Sequence, residues 1–222
     1  MENYLELMKA RHSVRQFEEK PIPADIREQL DACCRELNEK SGLNMQIIYD
    51  DPVCYSTGFA HYGNFEGCSN YIVLVGKKKT PKLDELCGYY GEFLVLKAQE
   101  LGLNTCWTAT THGKSKAAVA KDEVEIIIIA LGYGRTQGHD RKCKEAATIS
   151  NIADDSPEWF KKGIEAALLA PTAMNQQKFK LTLADGKVRA ESGLLGPCLK
   201  IDLGIVKCHF ELGAGKENFE WA

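Results

Sequence analysis

Residues 124–131 read "VEIIIIAL". The run is too continuously apolar for a strand with one wet face, so a strand here must be covered on both sides. The rest of the chain therefore has to supply the cover. Residues 25–38, "DIREQLDACCRELN", place Ile26, Leu30, Cys33, Cys34 and Leu37 at helical spacing, with Pro23 and Asp25 suited to the helix start. Residues 83–101 predict a long, mostly buried helix that Gly102 could end. Shorter strands are expected at 45–49 and 71–75.

After Ser150 the pattern restarts. Residues 156–169 predict a helix opened by Ser-Pro-Glu, a cap followed by a first-turn proline. Phe160, Ile164, Ala167 and Leu168 form its apolar face. Phe179, Leu181 and Leu183 alternate as a strand up to the turn pair Asp185-Gly186, and residues 187–190 suit its hairpin partner. A last helix is expected at 202–212, ended by Gly213.

Placed side by side, "IREQLDACCRELNEKSGLNMQIIYDD" and "FKKGIEAALLAPTAMNQQKFKLTLADG" share one design: helix, small-residue turn, Asn-x-Gln, then a strand ending in Asp. "QELGLNTCW" (99–107) and "FELGAGKENFEW" (210–221) both run Glu-Leu-Gly and then reach a Trp. A diverged internal duplication accounts for these matches better than two unrelated units. The expected halves are residues 1–150 and 151–222, forming one compact body.

Composition narrows the function classes. At 44% hydrophobic and 27% charged, the 222 residues suit an ordinary globular protein with a core of its own. A net charge of −3 gives no reason to expect nucleic acid as a partner. Lys77, Lys78 and Lys79 suit a solvated strand end. The longest strongly apolar run is too short for a bilayer, and the start "MENYLELMKARHSVRQF" has no signal-peptide core, so no membrane partner and a cytoplasmic location are expected. The nine cysteines are odd in number and lack any Cys-x-x-Cys, which suits small core residues rather than disulfides or zinc. The five histidines show no metal-ligand spacing, so no metal is expected.

Three segments carry chemistry. "KARHSVRQF" groups Arg11, His12 and Arg15 around Ser13, a set able to hold a phosphate or to form a solvated basic turn. "IIIIALGYGRTQGHDRK" runs a buried strand into Gly132 and Gly134. A dinucleotide fingerprint fails there, because the third glycine, Gly138, falls one residue late and no apolar helix follows. What remains is a backbone open to close approach, with Arg135, His139, Arg141 and Lys142 nearby as a second hand on a phosphate. In "ALLAPTAMNQQKFKL", proline stops a helix, Thr172 and Ala173 are small enough for a flat ring to lie against, and Asn175 and Gln177 offer amides. A polar helix-to-strand loop is the competing reading of that segment.

Together these segments resemble the FMN-dependent nitroreductase and flavin reductase family. Its Arg-Arg-Ser-x-Arg-x-Phe-like motif reads here Arg11-His12-Ser13-Val14-Arg15-Gln16-Phe17. Its Ala-Pro-Ser-x-x-Asn-x-Gln motif reads Ala170-Pro171-Thr172-Ala173-Met174-Asn175-Gln176-Gln177. Its Leu-Gly-Leu-x-Thr-Cys-Trp-like segment matches residues 101–107, and its closing strand runs into Gly132-Tyr133. The resemblance implies an α+β, three-layer α/β/α fold with a mixed, mainly antiparallel sheet, and two related halves in one chain. It implies FMN, with NADH or NADPH as electron donor and a nitroaromatic, quinone or similar small molecule as acceptor.

In the family the proline motif lies near the N-terminus. Here that place holds the degenerate "EKSGLNMQ", and the good copy is in the second half. The family's usual homodimer would thus be replaced by a monomeric pseudo-dimer with one FMN, a homodimer being the alternative.

The roles the resemblance implies are as follows. Arg11, His12, Ser13 and Arg15 hold phosphate and ribityl oxygens, with Arg141 or Lys142 reaching the phosphate from the other side. Pro171, Thr172, Ala173, Met174 and Asn175 line the ring. Trp107, Thr108, Ala109 and Thr110 form the loop whose backbone approaches flavin N5, although Thr110 stands where relatives often have glycine. Asn64, in "GNFEGCSNY", meets the pyrimidine edge. No acid–base residue is nominated, since the flavin carries the redox chemistry, and Cys106 is expected to be packing. A non-catalytic flavin or nucleotide sensor of the same fold stays open as a second reading, and an interaction protein with a decayed site as a third.

Overall fold

The computed structural model of the protein describes residues 4–222. Its helices are α1 (Tyr4–Ala10), α2 (Ala24–Ser41), α3 (Gly58–Tyr62), α4 (Leu83–Glu100), α5 (Ala146–Ile149), α6 (Glu158–Leu168) and α7 (Leu199–Ala214). Its strands are β1 (Gln46–Ile48), β2 (Asn70–Lys77), β3 (Asn104–Thr108), β4 (Glu123–Gly132), β5 (Phe179–Ala184), β6 (Lys187–Ser192) and β7 (Glu220–Trp221). The chain divides into two compact units. One comprises residues 10–83 and 93–140; the other comprises 84–92, 141–222 and the described part of 1–9.

The first unit is built around the isoleucine run. Its sheet has the order β1-β2-β4-β3, with every neighbouring pair antiparallel. β4 lies inside, its Ile127, Ile128 and Ile129 opposite Leu74, Val73 and Ile72 of β2. Residues 127–132 are buried throughout, as a strand covered on both faces must be. Phe17, Tyr55, Phe65 and Tyr71 pack with Val73 and Ile128 into one core cluster. Cys54, Cys68 and Cys106 belong to the same cluster, and burial pushes the Cys54 thiol up to about 11 and the Cys68 thiol up to about 12. They act there as small apolar residues.

The second unit has the three-stranded sheet β5-β6-β7, antiparallel at β5–β6 and parallel at β6–β7. α6 packs on α7 through glycines: the Phe210 ring fills the space a Cβ at Gly163 would need, at 2.5 Å, and Ala166 does the same at Gly213. The first turns of α4 meet α7 in the same way, Gly88 against the Ile201 carbonyl and Gly204 against that of Glu85. Buried polar contacts lock this packing. His209 Nδ1 lies 3.0 Å from the Ala166 carbonyl, and its Nε2 lies 2.9 Å from Glu92 Oε1.

The two units repeat an element order. The first runs α2–β1–β2–α4–β3, with α3 inserted between β1 and β2 and the start of α4 counted in the second unit; β1 is antiparallel to β2, and β3, two antiparallel steps away across β4, is parallel to β2. The second runs α6–β5–β6–α7–β7, with β5 antiparallel to β6 and β7 parallel to it. Among the described residues the second sheet has no counterpart of β4, so β7 pairs with β6 directly.

Several boundaries differ from the sequence expectation for physical reasons. α7 begins at Leu199 and passes through Gly213, which is needed inside the helix to admit Ala166; the left-handed Gly215 (φ 78°) ends it. Pro157 takes the N-cap of α6, while the Ser156 hydroxyl accepts from Ala153 N (2.9 Å) instead. β3 is an additional strand, lying at an edge of its sheet, where no apolar run announces it.

Candidate functional site

The arginine segment is extended and clamped by its backbone. Val14 N donates to the Thr105 carbonyl of β3 (3.0 Å), which continues the sheet edge by one parallel bridge at Ser13. Phe17 N donates to Glu66 O (2.9 Å) and Glu66 N to Arg15 O (3.0 Å). On the other side Arg135 N donates to Gln16 O (2.9 Å) and Glu18 N to Tyr133 O (2.8 Å). Val14 and Phe17 are buried, which anchors the segment against the core cluster.

That clamp gathers three motif side chains at β3. Cys106 is the marker. Burial raises its thiol above the ordinary value, and Arg15, a hydrogen bond with Ser13, and Arg11 each pull it back. Arg11, Ser13 and Arg15 thus lie near Cys106 on one short segment that bridges Thr105 at the sheet edge. Arg11 is only 4% exposed, while Ser13 and Arg15 reach the surface. Two guanidinium groups and a hydroxyl on one clamped segment suit a phosphate.

The glycine turn after β4 serves this segment. Asn104, buried on β3, accepts from Gly134 N (2.9 Å) and donates to Gln137 Oε1 (3.1 Å). A Cβ at Gly138 (φ 80°) would lie 2.5 Å from the His12 Cβ, and one at Gly134 would meet Val14 and Asn104 at 2.8 Å. The glycines make room for the motif itself, where the sequence suggested room for a ligand. His12 Nε2 stands 3.7 Å from Asp140 Oδ1.

Beyond β3 the chain turns over α3. Thr108 is buried, its hydroxyl donating to Cys106 O (3.1 Å) and accepting from Tyr55 OH (3.1 Å). Trp107 is half-buried, and Ala109 and Thr110 are exposed. Gly58, Phe59, Tyr62, Thr110, Thr111 and His112 line a groove of about 880 Å3. Phe59 and Tyr62 stand 71% and 85% exposed along it, so the groove has two aromatic rings without apolar cover. Asn64 sits in a left-handed turn (φ 60°) directly after Gly63, whose place beside Thr111 would not admit a Cβ. A second hollow of about 510 Å3, lined by residues such as Lys20, His61 and Phe65, includes none of the expected site residues.

The proline motif belongs to the second unit. Pro171 is buried after α6, and Thr172 and Ala173 are half-buried. Met174 (φ 53°), Asn175 (φ 52°) and Gln177 (φ 46°) are all left-handed, and Met174 is 90% exposed. Non-glycine residues in that region each carry about 1–2 kcal/mol of strain. The surroundings hold them there. Asn175 Nδ2 and Gln177 Nε2 both donate to Lys142 O at 2.9 Å, Gln177 N donates to Thr172 Oγ1 (3.0 Å), and Lys144 N donates to Gln177 Oε1 (2.8 Å). Asp202 of α7, 5% exposed, accepts from Ala173 N (3.0 Å) and from Gln176 Nε2 (2.8 Å). Burial holds the Asp202 carboxyl above its ordinary value, and those two donors pull it down. Arg141 donates to Leu168 O (3.0 Å) at the end of α6, while the Lys142 side chain is exposed. Sequence reasoning missed Asp202. It is an acidic residue in the first turn of a helix, a place where such a residue usually needs no further reason.

Comparison with known proteins bears on the family and the fold. A family model described as "Putative TM nitroreductase" matches residues 3–214. A solved structure from Thermotoga maritima, described as a putative nitroreductase, is 25% identical over 97% of this chain and 85% of its own, with a TM-score of 0.69. Another from Desulfovibrio desulfuricans, described as a putative nitroreductase in complex with FMN, covers 71% of this chain and 99% of its own at 15% identity and a TM-score of 0.55. A putative NADH oxidase from Clostridium acetobutylicum covers 68% and 99% at 14% identity and a TM-score of 0.51. The last two show a shared fold. Among curated proteins none matches the chain. The model's span, nearly the full chain, and the Thermotoga structure's agreement over almost all of it place this protein in a nitroreductase-like fold, and the chain belongs to the "Putative TM nitroreductase" family.

Proposed function

We propose that the protein is an FMN-dependent oxidoreductase that passes electrons from NADH or NADPH to a planar aromatic acceptor such as a nitroaromatic or a quinone. The observation that carries this reading is the backbone clamp that holds residues 11–17, with Arg11, Ser13 and Arg15, against the edge strand β3. In a nitroreductase family member, that donor set suits the phosphate of FMN. The Desulfovibrio relative of the same fold is described in complex with FMN, which supports the same cofactor here.

FMN, when bound, supplies the capacity to accept a hydride and return two electrons. The chain's tasks are positioning and exclusion. Arg11 and Arg15 neutralise the phosphate and Ser13 donates to it, with His12 at the segment's side. The backbone of residues 107–110 would approach the ring, and Asn64 would meet its pyrimidine edge. Residues 171–175 are proposed as a further ring segment on the strength of their motif, and the strain stored there supports a functional role. Phe59 and Tyr62 offer faces on which a flat acceptor can stack. Reducing a quinone to a hydroquinone consumes one NAD(P)H and one proton from solvent, so no side chain has to act as acid or base.

The repeated element order supports an internal duplication; residues 1–150 and 151–222 are proposed as its halves, with one FMN per monomeric chain. A cytoplasmic setting goes with this reading.

The test is the visible spectrum, flavin content and solution mass of the purified protein after FMN is added, followed by NADH and NADPH oxidation with 1,4-naphthoquinone. About one FMN per monomer, turnover, and at least tenfold weaker FMN binding in Arg15→Ala are expected. A chain that takes up no flavin sinks the reading. One that binds FMN in an obligate dimer sinks the single-chain site alone.

A further inference from the structure

The groove beside α3 has two walls, and one buried carboxylate reaches both. Asp51 is 1% exposed and lies just after β1. Its Oδ2 accepts from Tyr71 OH at 2.6 Å, and Tyr71 is itself fully buried. Its Oδ1 accepts from Val53 N at 3.3 Å, at the start of the segment that leads into α3, Phe59 and Tyr62. The same oxygen lies 2.9 Å from Lys116 Nζ, on the loop that descends from Thr110 and His112. Lys116 N donates in turn to Tyr71 OH (3.1 Å).

The two walls also touch directly. Gly113 N donates to Cys54 O (2.6 Å), a Cβ at Gly113 would lie 2.7 Å from Thr57, and one at Gly63 would lie 2.6 Å from Thr111. Neither wall can shift without breaking this set. A carboxylate removed from water needs its partners, so Asp51 holds Lys116 and Tyr71 more firmly than a surface pair would. The lysine end is the accessible one, since the Lys116 side chain is 63% exposed.

We infer that Asp51 is a positioning residue: through Lys116 and Tyr71 it fixes the width of the groove between Phe59–Tyr62 and Thr110–His112, and so sets how well a planar acceptor stacks there. The inference rests on the proposed oxidoreductase reading and goes beyond it by naming what determines acceptor fit. Asp51 is buried and does not line the groove itself. Its loss should therefore appear in the handling of bulky planar acceptors and leave flavin affinity alone.

The experiment uses the FMN-loaded full chain and two acceptors, 1,4-naphthoquinone, which must stack, and ferricyanide, which takes single electrons without stacking. The variants are Lys116→Met, Lys116→Arg, Asp51→Asn and the Lys116→Met/Asp51→Asn double. Lys116→Met is expected to lower kcat/KM for naphthoquinone roughly tenfold or more, chiefly through KM. Ferricyanide turnover and FMN affinity should stay within about threefold. Lys116→Arg should recover most of the loss, and the double variant should be no worse than Asp51→Asn alone.

Equal losses with both acceptors would show a general structural effect and overturn the inference. So would a Lys116→Met enzyme indistinguishable from the parent, or additive losses in the double variant. Because Lys116 is exposed, its variants read the inference even if Asp51→Asn folds poorly. A parent protein without flavin or turnover would fail the earlier reading instead, and is separated from these outcomes by being measured first.

Discussion

The chain makes the same helix-to-strand turn twice, between α2 and β1 and between α6 and β5, and solves it by two different means. After α2 the turn is relaxed. Gly42 takes the left-handed position (φ 71°) with nothing within 4 Å of where a Cβ would stand. Asn38 of the same helix closes the turn, donating to Met45 O and accepting from Met45 N, each at 2.8 Å. After α6 the left-handed positions fall on Met174, Asn175 and Gln177, and the partners are distant in sequence: Lys142, Lys144 and Asp202. A turn needed only to connect can be held by its own helix and one glycine. A turn that keeps strain on three side-chain-bearing residues is being held in a shape that connection does not require.

Asp202→Ala should break the strained turn and give the largest effect. It strands Ala173 N and the Gln176 amide beside a new cavity, at about 2–4 kcal/mol. Urea unfolding followed by far-UV circular dichroism checks this, with a loss under about 1 kcal/mol counting against it. The pH dependence carries a sign. Burial holds the folded Asp202 carboxyl above its unfolded value, so the native state binds the proton more tightly. That contribution is fully present below about pH 4 and is lost as pH rises through the folded value. The gap between parent and Asp202→Ala should therefore be widest in acid and narrow toward neutrality.

Asn38→Ala is the matching break in the relaxed turn. Two hydrogen bonds between a half-buried amide and the backbone are worth about 1–2 kcal/mol together. The comparison sharpens if the same variant leaves FMN affinity and naphthoquinone turnover unchanged, as a purely connecting turn requires. A change in flavin affinity without any change in stability would erase the distinction between the two turns.

How much of this was legible beforehand depended on whether a signal was local. The isoleucine run announced an interior strand, and β4 is one. Apolar spacing located α2, α4 and α6 to within a few residues. β3 was not visible, because "NTCWT" has no apolar alternation and becomes a strand only by pairing with β4. In the candidate site, Arg11, His12 and Arg15 stand out in sequence because three basic groups crowd five residues. Asp51, Asp202 and Tyr71 were not, because each acts through partners 20 or more residues away. What fills the space beside Gly132 and Gly134 was not readable either, since a glycine's freedom shows in sequence while the atom occupying the vacated space does not.

The smallest expected effect isolates strain from contact. Met174 is 90% exposed, so replacing it loses little packing, and its backbone is left-handed. Met174→Gly should relieve about 1–2 kcal/mol of steric cost and return part of that as added freedom of the unfolded chain. The net is a stabilisation of about 0.5 kcal/mol in the flavin-free protein. Gly42→Ala, into open space at φ 71°, should do the reverse and cost about 1 kcal/mol. Opposite signs at the two positions would show that the second turn carries strain which the first avoids. If Met174→Gly is instead destabilising, the methionine side chain is making a contact of its own, and the strain at residues 174–177 loses its force as a sign of function.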